Sequence, residues 1–192
     1  MSSPSRHATI IQAALRCFAQ HGVEGTTIDM IREASGASVG SLYHRFGNKE
    51  GIAAEVYVEG LRQARGQMQA ALEGCTSLEA AVRGIVRAQV DWIVANTDWA
   101  RFVFSYRMVL GQTGHEAAFQ AEVAAAQQQL AAGLLALPGG ERLRQWPAAI
   151  YPSLIAGPVH NYAQQWLEGR RQLPLGDLQE AFAEAAWRSL GG

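Results

Sequence analysis

Between Thr27 and Arg45 the chain sets two short apolar-faced segments on either side of Ser35-Gly36-Ala37. Ile28, Ile31 and Ala34 share one face of the first, and Leu42 and Phe46 share one face of the second. Thr26-Thr27 offers an N-cap, Asp29 falls in the first turn, Gly47 ends the second segment, and Asn48 caps the next helix. Upstream, Ile10, Ile11, Ala14, Leu15 and Phe18 mark one face of a further helix that Gly22 stops. Two short helices joined by a tight glycine-containing turn make a helix-turn-helix, and the spacing predicts one over Thr27–Ala34, Ser35–Ala37 and Ser38–Arg45.

The second helix of such a unit enters the DNA major groove. That accounts for its composition. Gly40 costs about 1 kcal/mol relative to alanine inside a helix but lets backbone approach DNA closely. Ser38 and Ser41 are short donors suited to phosphates or base edges, and Val39 suits a thymine methyl. Tyr43, His44 and Arg45 present three polar tips toward phosphate oxygens. Lys49, the only lysine in the chain, lies in the first turn of the next helix, where a cation opposes the macrodipole. A bound phosphate reverses that sign; a solvated surface lysine is the alternative.

The stretch "TTIDMIREASGASVGSLYHRFGNKEG" resembles the DNA-binding motif of the tetracycline repressor (TetR) family of bacterial transcriptional regulators. Thr26, Thr27, Ile31, Gly36, Ser38, Gly40, Leu42, Tyr43, Phe46, Lys49 and Glu50 fall on the family's pattern, which covers about the first quarter of the chain. The resemblance implies DNA contacts from Thr27, Ser38, Val39, Gly40, Ser41, Tyr43, His44, Arg45 and Lys49. Three positions depart from the pattern. Val39 stands where many members carry lysine or another polar residue, Ala37 replaces the usual valine, and Arg45 is often tyrosine or histidine. These bear on which operator is read, not on the mode of binding.

Helical signals continue to the C-terminus, and no β-alternation of useful length interrupts them. Thr76 with Glu79 reads as a capping box opening a helix striped by Leu78, Val82, Ile85, Val86, Trp92 and Ile93. Trp99 to Leu110 is aromatic-rich, His115 to Leu137 is alanine-rich and ends at Pro138-Gly139-Gly140, and Asp177 with Glu180 reads as the cap of a final helix. The expected fold is all-α, about nine helices in total. A three-helix DNA-binding domain over 1–47 precedes a larger helical effector-binding and dimerisation domain over 48–192.

Composition sets limits on function. Apolar residues make up 48% of the 192, ample for a core, and the formal net charge is −1. Residues 1–50 carry five basic and four acidic groups, so affinity for DNA is expected to rest on a dimer pairing two sites. Cys17 and Cys75 have neither CxxC spacing nor paired ligands, so no disulfide framework, metal or cofactor is expected. Gln145 to Leu167 lacks any charged residue, but Pro147, Pro152, Pro158, His160 and Asn161 argue for a buried or interface helix over a membrane span. No secretory signal is read at the start, and a cytoplasmic protein is expected. Enzyme motifs (GxSxG, P-loop, HExxH, GxGxxG) are absent, and no enzymatic activity is expected.

The resemblance places an effector pocket in the later helices and a dimer interface in the last two. Trp92, Trp99, Phe102, Phe104, Tyr106 and Met108 are either pocket walls or plain core. Trp92, Phe102 and Tyr106 are the pocket candidates, with Trp92 and Tyr106 carrying polar tips that need partners. Ile155, Val159, Tyr162, Trp166 and Phe182 are the interface candidates, and Pro158 frees the carbonyl of Leu154. The expected function is a ligand-responsive regulator. It acts as a homodimer on palindromic double-stranded operator DNA, as a repressor released by a small hydrophobic or aromatic effector. The alternative is a ligand-independent architectural DNA-binding protein acting through protein partners.

Overall fold

The computed structural model describes residues 5–110 and 116–190, and the side chains of all of these but 107–110 and 116–122. His115 and the side chain of Met108 lie outside the described residues. Nine α-helices run through the described residues: α1 (Arg6–Gly25), α2 (Ile28–Ser35), α3 (Val39–Phe46), α4 (Lys49–Ala70), α5 (Leu78–Ala95), α6 (Thr97–Leu110), α7 (Glu116–Ala136), α8 (Tyr151–Leu167) and α9 (Gln179–Ser189). Short 3-10 turns at Gly140–Gln145, Ala148–Ile150 and Leu175–Leu178 are not legible from periodicity. The fold is all-α, as expected. None of the described helices is long and apolar enough to cross a membrane.

The chain divides into two compact units, 1–61 with 98–116 and 62–97 with 117–192. The 47/48 junction expected from sequence falls between α3 and α4; the first unit extends past it to include the start of α4 and most of α6.

In the first unit Ile10, Ile11, Ala14, Leu15 and Phe18 of α1 are buried, as their spacing predicts. Gly22 breaks the helix at a positive φ, and the hydroxyl of Thr26 donates to its carbonyl at 2.7 Å. Ile31, Leu42, Ile52 and Val56 complete this apolar interior. An aromatic stack lies beside it, with Phe18 on Phe102 at 5.4 Å, Phe102 on Tyr106 at 5.1 Å, and Tyr106 tilted against Tyr57 at 5.8 Å. At Gly60 a Cβ would sit 2.8 Å from Val103 and 2.9 Å from Trp99, so the missing side chain lets α4 lie close to α6.

In the second unit α5, α8 and α9 pack together. Ile155, Val159, Ala163 and Leu167 form the buried stripe of α8, and Ala183 and Ala186 that of α9. Outside this core, arginines of α5 pair with glutamates of α9. Arg87 grips Glu180 through two nitrogens at 2.6 and 2.7 Å, and Arg83 reaches Glu184 at 2.5 Å. These bonds hold the Glu180 and Glu184 carboxyls below their ordinary range.

Two expected caps lie elsewhere. Ser77, not Thr76, caps α5, its Oγ accepting from the Ala80 amide at 3.2 Å. The buried Leu78 is the first helical residue and fixes the cap one position before it. Asp177 falls within a 3-10 turn that runs directly into α9, whose first residue is Gln179 with no side-chain cap. A chain entering a helix from a 3-10 turn already supplies carbonyls to its first amides.

Candidate nucleic-acid interface

The α2–α3 unit is built by four local devices. Thr27 caps α2, its Oγ1 accepting from the Met30 amide at 3.2 Å. The Met30 sulfur accepts from the Thr27 amide at 3.4 Å, filling the place that glutamate or glutamine takes in the usual capping box. Gly36 ends α2 at φ +67°, a left-handed conformation that side chains disfavour, and its amide donates to the Arg32 carbonyl at 2.9 Å. Ser38 caps α3, accepting from the Ser41 amide at 3.2 Å.

These devices orient α3. Its inner face is Leu42 and Phe46, with Ala37 buried at the turn. Its outer face carries Val39 at 39% exposure and Tyr43 at 51%, with Gly40, His44 and Arg45 also exposed and Ser41 partly so. Two large apolar surfaces on one two-turn helix are a cost in water unless something covers them. The side chains of Tyr43, His44 and Arg45 hold no hydrogen-bond or ion-pair partner among the described residues.

Gly40 distinguishes packing from function. A Cβ built there meets nothing within 4 Å, and its φ is not in the left-handed range. The fold therefore does not require glycine at this helical position. Gly51 is the contrasting case: a Cβ there would lie 2.0 Å from the Phe46 carbonyl oxygen. That glycine brings the first turn of α4 against the end of α3, where Asn48 Oδ1 accepts from the Gly51 amide at 2.7 Å.

Lys49 is partly buried, and its ammonium donates to the carbonyl of Glu24 at 3.0 Å. One of its three protons is thus engaged within the chain. Sequence reasoning missed this partner because a backbone carbonyl leaves no residue signature.

Phe102 and Tyr106 belong to the aromatic stack of the first unit, and the Tyr106 hydroxyl donates to the Glu50 carbonyl at 3.4 Å. Burial, with Glu50 adding a smaller effect, pushes the Tyr106 phenol up. Trp92 belongs to the second unit, and its buried indole N–H has no hydrogen-bond partner among the described residues. Gln89, one turn before it, is buried, and neither of its side-chain amide atoms has a hydrogen-bond partner among the described residues. Sequence reading passed over Gln89, although a lone amide inside the apolar stripe of α5 was a visible signal.

Of the interface candidates, Ile155 and Val159 are 1% and 0% exposed and fill the protomer's own core, so they are not surface. Tyr162, Trp166 and Phe182 keep partial exposure, and the rings of Tyr162 and Phe182 meet at 5.6 Å. The outward positions beside them are small or uncharged: Pro158 and Asn161 on α8, Ala181 and Ala185 on α9.

Residues 10–56 match the family described as bacterial regulatory proteins, tetR family. The transcriptional repressor AcnR of Corynebacterium glutamicum is 49% identical over 43 residues, 22% of this chain and 23% of that repressor. The matched stretch therefore spans less than a quarter of that relative's length. Solved structures align over nearly the whole chain at low identity. The fatty acid degradation regulator FadR of Bacillus halodurans gives a TM-score of 0.79 at 18% identity, covering 100% of this chain and 98% of its own. FadR of Bacillus subtilis in complex with stearoyl-CoA gives 0.72 at 16% identity, covering 93% and 96%.

Proposed function

We propose that this chain, which belongs to the TetR family of bacterial transcriptional regulators, is a homodimeric repressor that reads a palindromic operator through α3 and is released by a small hydrophobic effector. The observation that carries the DNA reading is the outer face of α3. It presents Val39, Tyr43, His44 and Arg45 around a glycine that the fold does not need. Val39 and Ser41 touch base edges, while Thr27, Ser38, Tyr43, His44, Arg45 and Lys49 meet phosphates, since phosphate contacts position and base contacts specify. Gly40 lets the helix backbone close on the duplex.

Dimerisation places the outward faces of α8 and α9 against their copies, a four-helix arrangement with small residues at the seam. Two recognition helices then read half-sites about 34 Å apart, or a multiple of that. Release works through α4, a single helix from Lys49 to Ala70 that contributes to both units. A ligand favouring a different setting of α4 moves its first turn, where Lys49 and the Tyr106–Glu50 contact lie. A coupling of about 1–3 kcal/mol lowers operator affinity several-fold to a hundredfold. The stearoyl-CoA held by the B. subtilis regulator supports an effector with an apolar chain.

The test is enrichment of random duplexes on the protein. Inverted repeats emerge if the reading holds, and Tyr43→Ala binds them weakly. Enrichment of unrelated single sites, or none, contradicts it.

A further inference from the structure

Gln89 and Trp92 lie three residues apart on α5, which places their Cβ atoms on one face about 5–6 Å apart. Gln89 is 2% exposed and Trp92 4%. The Gln89 amide nitrogen, the Gln89 amide oxygen and the Trp92 indole nitrogen are all buried without a hydrogen-bond partner among the described residues. Unpaired buried polar atoms are rare and costly, and an apolar residue of the same shape costs nothing comparable. Nor does the pair belong to the ionic side of the helix. Arg83, Arg87 and Asp91, the residues engaged by α9, project from the opposite side at 100° per residue. Gln89 therefore interrupts an apolar face, formed with Leu78, Ala81 and Ile85, without a hydrogen-bond partner among the described residues.

We propose that Gln89 and Trp92 are the polar recognition pair of a ligand site. Its ligand is an apolar molecule with one uncharged head group that both accepts and donates hydrogen bonds, a hydroxyl or a carboxamide. This rests on the effector-responsive reading of the chain. The head-group oxygen accepts from the indole N–H and from the Gln89 amide N–H, and its own O–H or N–H donates to the Gln89 oxygen. All three orphaned atoms are then satisfied by one group. A carboxylate fits poorly. It has no proton for the Gln89 oxygen, and the buried polar residues among those described, Thr26 and Gln89, include no cation to balance it.

The experiment compares the full chain with Gln89→Met and Trp92→Phe, using decanamide, decanol and decanoate as probes of equal chain length. Thermal melting and calorimetry are the readouts. Decanamide and decanol raise the wild-type melting temperature, and decanoate does not. Without ligand, Gln89→Met melts about 2–4 °C above wild type, because an unpaired amide has been removed. Both variants bind decanamide at least tenfold more weakly. A bound water bridging the pair would make both variants melt lower than wild type, and that result overturns the proposal. So does equal binding of decanoate, or no binding of any probe. A final arm measures release of an enriched operator duplex. If a probe releases DNA equally from wild type and Gln89→Met, the pair is not the recognition site while the effector reading stands. If decanamide binds through Gln89 and DNA affinity does not move, the site stands and the effector reading falls.

Discussion

The ammonium of Lys49 donates to the carbonyl oxygen of Glu24, 3.0 Å away, and so ties the end of α1 to the first turn of α4. The placement is favourable at one end and not at the other. A cation suits the carbonyl that accepts from it, beyond the break at Gly22, and opposes the amide end of α4. A phosphate beside the same ammonium relieves that second term. Lys49 thus serves the fold with one proton and, in the proposed reading, offers the other two to a phosphate.

Lys49→Met is predicted to weaken binding to all duplexes and to flatten the salt dependence of log affinity by about one unit. The loss of the Glu24 contact lowers stability by about 1 kcal/mol, read from urea midpoints. An unchanged salt slope with lowered stability would leave Lys49 a structural clamp only.

Gly40→Ala separates the needs of the fold from those of DNA. Open space surrounds the new methyl, so stability rises by up to about 1 kcal/mol. Operator affinity is predicted to fall, because the proposed close approach of the α3 backbone to the duplex leaves no room for the methyl. Chemical unfolding and anisotropy on one preparation measure both.

Gly51→Ala has the opposite signature. Its Cβ would stand 2.0 Å from the backbone oxygen of Phe46, which cannot rotate away. Overpacking of this kind costs about 1–3 kcal/mol, and here the clash is with backbone. Circular dichroism melts show the loss directly.

The proposed dimer is tested on the exposed face of α9. Ala185→Glu is predicted to give a folded monomer by light scattering, with its helix content kept. Val159→Glu instead buries an unpaired charge at a position with no exposure and unfolds the protomer. A dimer that survives Ala185→Glu puts the interface elsewhere.

Acid is predicted to weaken the second unit. Arg87 and Arg83 hold the Glu180 and Glu184 carboxyls below their ordinary value of 4.5. Carboxyls lowered in this way stabilise the folded state above that value. The contribution fades as the pH falls through the lowered folded values. The double variant Glu180→Gln/Glu184→Gln is predicted to melt lower than wild type at pH 7 and to differ less at pH 3. A constant gap across that range would show that the ion pairs add nothing to stability.

What the sequence disclosed depended on how local the cause was. Periodicity placed α1 and α5, and glycine chemistry placed the turn at Gly36, because those causes lie within a few residues of one another; Ser38, read as the first residue of the second helix, is instead the cap of α3. The Leu154 carbonyl freed by Pro158 was also foreseeable. Its partner was not: the Ser189 hydroxyl lies 3.3 Å from it, and its single proton is shared with the Ala186 carbonyl at 2.8 Å. Ile155, Val159, Tyr162 and Trp166 read as one stripe, yet α8 turns Ile155 and Val159 into its own core and leaves the other two half-exposed. Apolar spacing marks a face but does not say which apolar neighbour covers it.

Hydroxyl-radical footprinting of an enriched inverted-repeat duplex decides whether two copies of the chain read DNA through α3. Two protected patches are expected on one side of the duplex, about 34 Å apart or a multiple of that, both lost in Tyr43→Ala. A single patch, or two patches that persist in Tyr43→Ala, would contradict DNA reading by a dimer through α3.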